Sequence, residues 1–192
     1  MTATEILYGI VFQPLATLRY LSSSQPLLMA LTAFIVTVLG NMLIKLGINL
    51  HQGPGVPLPQ GYIGVYLGLG LLFSLLALAA AAAIYNLLGE LLYRQANGRG
   101  ILTCLAFAFV PGILSPPLQY ALTLLNLNNF NAAISVLAFL WVVILQVIGI
   151  RESLLIQSSQ AFFLFILPGA VFFILVLIAF LSLALLVSGM MI

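Results

Sequence analysis

Three polar side chains, Asn86, Glu90 and Arg94, recur every four residues near the end of a long apolar run. Residues four apart share one face of a helix, and an acid four residues before a base is the favourable order for an ion pair. An ionisable group inside a membrane helix needs a partner or water. The pattern predicts a polar cluster of Asn86, Glu90, Arg94, Arg99 and Arg151. Two interpretations are open: a gate or proton-coupled group at the cytoplasmic mouth, or a structural ion pair.

The sequence offers little else that could do catalysis. It contains no aspartate, and its single histidine, His51, lies beside Gly53 and Pro54 in a predicted loop. Aspartyl chemistry and serine–histidine chemistry at membrane depth each need one of these residue types. No HExxH motif and no phosphate-binding glycine loop occurs. We therefore predict a protein without enzymatic activity, catalytic residues, cofactor or metal.

Helix breakers interrupt the apolar sequence in two places, "FVPGILSPPLQY" and "FILPGAVFF". A proline inside a helix removes one backbone donor, whereas serine followed by prolines is typical of a helix start. The third span is therefore predicted to be two half-helices that meet at mid-membrane, next to the break in the fifth span. The candidate residues are Pro111, Gly112, Ser115, Pro116, Pro117, Gln119, Pro168 and Gly169.

Freed backbone groups in lipid must find protein or trapped water. Paired interrupted helices are typical of transport sites, and a packing hinge is the alternative interpretation.

Small residues also line one face of the second apolar run, at Gly61, Gly64, Gly68, Ala79 and Ala82. A stripe of this kind lets a second helix approach closely, and Gly64 and Gly68 have the spacing of a small-xxx-small pair. The stripe predicts close helix packing. The partner helix is either in the same chain or in a second copy, which would make the protein a homodimer.

The composition is that of an integral membrane protein. Of 192 residues, 64% are hydrophobic and 4% are charged, whereas soluble domains are about a quarter charged. Five basic residues are too few for nucleic-acid binding. A hydrocarbon core of about 30 Å needs about 20 apolar residues per helix, which is met at residues 27–48, 63–92, 101–126, 132–150 and 161–188. The predicted fold is all-α, with a five-helix transmembrane domain over residues 27–192 in a lipid bilayer.

Arginine placement predicts the orientation of these spans. Five crossings place Arg19, Arg94, Arg99 and Arg151 on one side, which the positive-inside rule makes cytoplasmic. The N-terminus is then inside and the C-terminus outside, and Lys45 can snorkel to the outer interface. A re-entrant hairpin over residues 101–126 is the rival geometry, but it would place Arg151 outside.

Residues 1–26 precede the first span and carry apolar residues at nearly helical spacing. Polar residues such as Glu5 and Arg19 fall between them. The pattern predicts an amphipathic helix that lies in the cytoplasmic interface and bends near Pro14. An unstructured tail is the alternative.

The order of these features resembles the Yip1-domain family over nearly the whole chain. The features are "FQPLATLRYL" before the first span, "YRQANGRG" after the second, "CLAFAFVPGIL" in the third, a tryptophan-bearing fourth span and Pro168 in the last. The resemblance implies five spans with a cytoplasmic N-terminus. Eukaryotic relatives work in Golgi and ER membranes and engage small prenylated GTPases. This chain lacks their long polar N-terminal region and is similar to a short prokaryotic member.

Two functions follow as hypotheses. The first is a membrane-organising or adaptor protein that acts through helix contacts and its cytoplasmic face. The second is a small transporter or channel that uses the broken helices. A continuous water-filled cavity reaching Pro111 and Pro168 would favour the second, and a packed, dry core would favour the first. The sequence does not identify a solute, a lipid or a protein partner.

Overall fold

The computed structural model describes residues 1–52, 60–125, 127 and 130–190. The helices in these ranges are α1 (Ala3–Phe12), α2 (Pro14–Ser24), α3 (Leu27–Gln52), α4 (Gln60–Tyr93), α5 (Gly98–Ala108), a 3₁₀ helix (Val110–Leu114), α6 (Ser115–Leu124), α7 (Asn131–Leu154) and α8 (Ser158–Met190).

Within these described ranges, five segments are long and apolar enough to cross a bilayer: Leu27–Ile48, Tyr62–Tyr93, Gly98–Leu124, Asn131–Leu154 and Ser158–Ser182. The prediction of a five-span, all-α membrane fold is confirmed. His51 lies at the end of α3, and Gly53 and Pro54 lie outside the described residues.

The third span is broken at the predicted place. Helix α5 ends at Ala108, a 3₁₀ helix covers Val110–Leu114, and α6 begins at Ser115 with prolines in its first turn. The carbonyl of Phe107 accepts from the N–H of Phe109, and the carbonyl of Phe109 accepts from Gly112 at 3.0 Å. The tighter 3₁₀ geometry thus supplies partners for backbone groups near Pro111.

The expected second break is not present, because α8 continues through Pro168 as one helix. A single proline removes one hydrogen bond and need not interrupt the following turns. The 3₁₀ helix packs on α3, α6, α7, α1 and α5, and Gly169 is exposed, with open space where a Cβ atom would lie. The expectation that the two breaks meet is therefore wrong.

The N-terminal segment is a pair of helices folded back on each other, and the bend near Pro14 is confirmed. A capping box starts α1: the N–H of Thr2 donates to Glu5 at 2.8 Å, and the Thr2 hydroxyl accepts from the N–H of Glu5. Gln13 separates α1 from α2, and Gly9 and Thr17 touch where the two helices face each other.

This hairpin belongs to the core of the protein. Helix α2 packs on both α5 and α7, and α1 reaches the 3₁₀ helix. Ile6, Ile10, Leu18 and Leu21 are all buried. Such burial, at about 1.5–3 kcal/mol for each large aliphatic side chain, fixes the segment to the bundle and excludes the unstructured-tail alternative.

Helix α5 is the most enclosed element of the bundle. It packs on α7, α3, α4 and α2, and every residue from Thr103 to Ala108 is buried. The closest approach is to α7, where a Cβ atom on Gly149 would lie 2.9 Å from the Cβ of Cys104. Only glycine therefore fits at position 149 without a shift of the two helices.

We expect Gly149→Val to lower the thermal stability of the purified protein, by about 1–3 kcal/mol as for other overpacked cores. Gly64→Val is the matched control, since a Cβ atom at Gly64 meets nothing within 4 Å. Thermal unfolding in detergent measures both variants. Equal melting temperatures for the two would contradict the close α5–α7 packing.

Candidate functional site

A buried carboxylate forms the centre of the polar cluster at the end of the bundle that carries the four arginines, which we call the arginine end. The Glu152 side chain is 4% exposed. The Nε of Arg19 donates to its Oε2 at 2.8 Å, and the Nε of Arg151 lies 3.6 Å from its Oε1. A buried carboxylate is strongly unfavourable unless it is paired. Arg19 on α2 and Arg151 on α7 provide that pairing.

The hydrogen bond to Glu152 raises the pKa of Arg19 further above its ordinary value. Arg19 therefore stays charged, since a guanidinium group is not deprotonated in proteins. A side chain from the N-terminal hairpin thus provides a permanent charge for a carboxylate near the end of the fourth span.

Asn97 joins three helices beside this ion pair. Its Oδ1 accepts from the N–H of Gly100 at 3.0 Å, which caps the start of α5, and from the Gln25 amide at 2.9 Å. Its Nδ2 donates to the carbonyl of Ser153 at 3.1 Å and to that of Ser22 at 3.4 Å. One amide therefore connects the ends of α2 and α7 to the start of α5.

The predicted Glu90–Arg94 pair is not formed. Helix α4 ends at Tyr93, and Arg94 adopts a left-handed backbone conformation with φ of 56°. This conformation takes its side chain off the helix face that carries Glu90. Glu90 is exposed and makes no ion pair with any described residue.

The remaining members of the predicted cluster lie near the arginine end but are not brought into one group. Arg99 is exposed in the first turn of α5. Asn86 is half-buried beside Gly98, and its Oδ1 has no hydrogen-bond partner. Of the five predicted residues, only Arg151 takes part in an ion pair.

Sequence reasoning missed Glu152 and Arg19 as partners. It ended the fourth span at residue 150, which placed Glu152 in a loop, whereas α7 continues to Leu154. The signal that could have extended the helix is the apolar residues that follow Glu152, beginning at Leu154. No local signal connects Glu152 with Arg19, which is 133 positions away.

A polar cavity of about 330 Å³ lies beside the broken span, toward the opposite end of the bundle, which we call the lysine end. The amide nitrogen of Gln119 donates to the hydroxyls of Ser115 at 2.8 Å and Ser135 at 2.9 Å. The cavity is lined by Asn41, Lys45, Gly112, Ser115, Pro116, Gln119, Ser135, Ala138, Phe139 and Val142. Four predicted break residues therefore line one cavity: Gly112, Ser115, Pro116 and Gln119.

Other predicted break residues lie outside this lining. Pro111 is half-buried in the 3₁₀ helix, Pro117 is exposed on α6, and Pro168 and Gly169 lie on α8. Toward the arginine end the broken span continues as α5, whose side chains at Cys104, Ala106 and Phe107 are at most 1% exposed. No residue of α5 lines this cavity.

The small-residue stripe of α4 lies largely on the outside of the chain. Gly64 and Gly68 are exposed, with nothing of the described chain within 4 Å of a Cβ atom at either position. Ala79 is exposed and Ala82 is buried, while the surroundings of Gly61 lie outside the described residues. Packing within the chain instead uses the face with Gly89, where Leu154 approaches.

Among the described residues, no three His, Cys, Asp or Glu side chains lie close enough together to hold a metal ion. The cavity at the lysine end offers amide and hydroxyl groups and one ammonium, and the arginine end offers one carboxylate between two guanidinium groups.

Comparison with models of known protein families shows which family this chain belongs to. A family model described as the Yip1 domain matches residues 8–190, nearly the whole chain. The chain belongs to the Yip1-domain family. Comparison with curated proteins and with solved structures finds no match. The match covers the broken third span and all but the first few residues of the N-terminal hairpin, so both features lie within the Yip1 domain.

We expect Glu152→Gln to destabilise the Yip1 domain by about 1–3 kcal/mol, the scale of a hydrogen bond to a charged group. The substitution keeps the shape of the side chain but leaves Arg19 without its counter-charge. Glu90→Gln makes the same chemical change on an exposed side chain and should leave the melting temperature unchanged. Thermal unfolding in detergent compares them, and a larger loss for Glu90→Gln would refute the assignment of Glu152 as the central acid.

Proposed function

We propose that this Yip1 domain is a non-enzymatic, membrane-organising or adaptor protein that acts through the contacts of its surface helices. The observation that carries the proposal is the burial of α5, the half of the broken span between the cavity and the arginine end. No residue of α5 lines the cavity. This arrangement supports a contact function over solute transfer.

Burial differs sharply between the spans. In the most apolar 18-residue stretch of the third span, 44% of the residues are buried. In the corresponding stretches of the other four spans, 6% to 17% are buried. The third span therefore forms the core of the bundle. The other four spans pack around it and leave most of their apolar surface exposed. Phe172, Phe173 and Phe180 on α8 are each at least 67% exposed. Surfaces of this kind contact lipid or the helices of a partner.

The proposal includes a location in the cytoplasmic membrane of a prokaryote, with the arginine end inside. Support comes from the ion pairs of Arg19 and Arg151 with one carboxylate, since they bring the N-terminal hairpin and the end of the fourth span to the same side. Arg94 directly follows α4, and Arg99 lies in the first turn of α5. The C-terminus of a five-span chain then lies outside.

A small transporter or channel is the second candidate function. The observation in its favour is the cavity at the broken span, because transport sites are likewise formed where a membrane helix is interrupted and polar side chains meet. Against it, this cavity is not lined by Pro168, and buried residues of α5 lie between it and the arginine end.

We expect Cys104, the one cysteine of the chain, to resist a membrane-impermeant thiol reagent added to either side of the membrane. Its side chain is fully buried in α5, so the reagent should not reach it. In a Cys104→Ser background, Ser135→Cys places a thiol in the cavity and should react with reagent added outside intact cells. Mass spectrometry measures both modifications.

Labelling of Cys104 in the folded protein would contradict the proposal and favour a transport pathway. Denaturation supplies the positive control, because the same thiol should then react fully. Labelling of Ser135→Cys only from the inside would contradict the proposed orientation. It would not bear on the packing around Cys104.

The adaptor proposal includes a second copy of the chain as one contact partner, through the stripe of Gly64 and Gly68. These positions leave open surface on α4, so bulky side chains there should not disturb the fold of one chain. We expect the double variant Gly64→Leu, Gly68→Leu to keep its melting temperature and to lose cross-linked dimer in native membranes. Ala79→Leu, on an exposed part of the same helix, controls for bulk, and dimer retained in the double variant would exclude this seam.

A further inference from the structure

Lys45 is a cation that lines the cavity beside the broken span. Neither a hydrogen bond nor an ion pair joins its ammonium to any other described residue. It lies three residues, about 4.5 Å along the helix axis, before Ile48, where the first span ends. An ammonium at this depth is at the level of lipid headgroups, and a nearby anion would satisfy it.

The cavity also contains an acceptor that lacks a donor. The Oδ1 of Asn41 is buried and has no hydrogen-bond partner. Asn41 is one helical turn from Lys45 on the same face of α3, and both residues line the cavity. A buried amide oxygen without a donor is unfavourable by about 1–3 kcal/mol. A ligand hydroxyl that donates to this oxygen would remove that unfavourable free energy.

A second hollow of about 310 Å³ continues the site along α6. It shares Lys45, Pro116 and Gln119 with the first and extends to Asn131, whose Oδ1 is likewise buried without a partner. Each hollow is within the size range of small-molecule sites, about 300–1,000 Å³. The combined site therefore offers one ammonium and two unpartnered acceptors.

The rim of the cavity favours a lipid over a free solute. Phe139 lines the cavity and is 66% exposed on α7, a membrane-spanning helix. Apolar side chains in this position meet acyl chains, while Lys45 lies near headgroup level and Asn41 lies one helical turn deeper. A phospholipid could place its tails along this face and its headgroup in the cavity.

We propose that the cavity binds the headgroup of an anionic phospholipid that carries free hydroxyls, with Lys45 on the phosphate and Asn41 accepting from a hydroxyl. This chemistry is that of a phosphodiester attached to a polyol. The inference goes beyond the proposed membrane-organising function and does not rest on it. A cavity beside a membrane span can hold a lipid headgroup whatever the activity of the protein.

Native mass spectrometry of the full chain, titrated with defined lipids in detergent, tests the inference. The probes are phosphatidylglycerol, phosphatidylmethanol with the same charge but no headgroup hydroxyl, and zwitterionic phosphatidylcholine. We expect affinity to fall in that order. Lys45→Gln should weaken phosphatidylglycerol binding roughly tenfold, the scale of one charge-assisted hydrogen bond, whereas Lys45→Arg should retain it.

Asn41→Leu should remove the preference for phosphatidylglycerol over phosphatidylmethanol without abolishing the binding of either. Arg94→Gln is the matched control for loss of a cation, since Arg94 is exposed at the arginine end, and it should bind lipid as the unaltered protein does. Melting temperatures establish that each variant is folded. If Lys45→Gln does not fold, the affinities of the three lipids for the unaltered protein and for Asn41→Leu test the inference in its place.

Equal affinity for the three lipids would overturn the inference, as would unchanged binding in Lys45→Gln or an equal loss in Arg94→Gln. Soluble glycerol 3-phosphate separates the two sources of the same headgroup chemistry. Its binding in the absence of any phosphatidylglycerol binding would assign the cavity to a solute and refute the lipid proposal. Labelling of Cys104 tests the proposed function separately, so the two can fail independently.

Discussion

Burial of Glu152 is the constraint on which the arginine end of this Yip1 domain depends. A carboxylate that is 4% exposed needs a cation within hydrogen-bonding distance, and Arg19 supplies it from the N-terminal hairpin. The pair fixes α2 against α7, and Asn97 then connects both helices to the start of α5. Because α5 is the enclosed centre of the bundle, the polar contacts at one end determine how its apolar core is assembled.

Backbone hydrogen bonding imposes a second constraint in the middle of the third span. The prolines from Pro111 to Pro117 prevent one continuous helix, and the chain responds with a short 3₁₀ helix. This change of helix type supplies partners for carbonyls that an α-helix would leave free. It also separates a tightly packed half, α5, from a half that leaves room beside it, α6. The difference between the two ends of the protein begins at this point.

Features encoded within one stretch of sequence could be predicted, and features that join distant stretches could not. Apolar run length indicated five spans, and the prolines placed the break within a few residues. The Glu90–Arg94 pair failed because one left-handed residue, Arg94, ended the helix a position earlier than the spacing required. Pro168 has the same local signal as Pro111 but lies in a continuous helix. The true partner of Glu152 is 133 positions away, and the cavity requires the joint positions of α3, α6 and α7.

The N-terminal hairpin has a consequence for biosynthesis. Its apolar residues, among them Ile10 and Leu18, leave the ribosome before α5 and α7, on which α2 packs. The hairpin must therefore wait, without its final neighbours, until residue 152 has been synthesised. Arg19 can then form the ion pair, so assembly of the core is completed by a segment that was translated before it. A chain truncated before α7 would present this apolar hairpin to quality-control proteases.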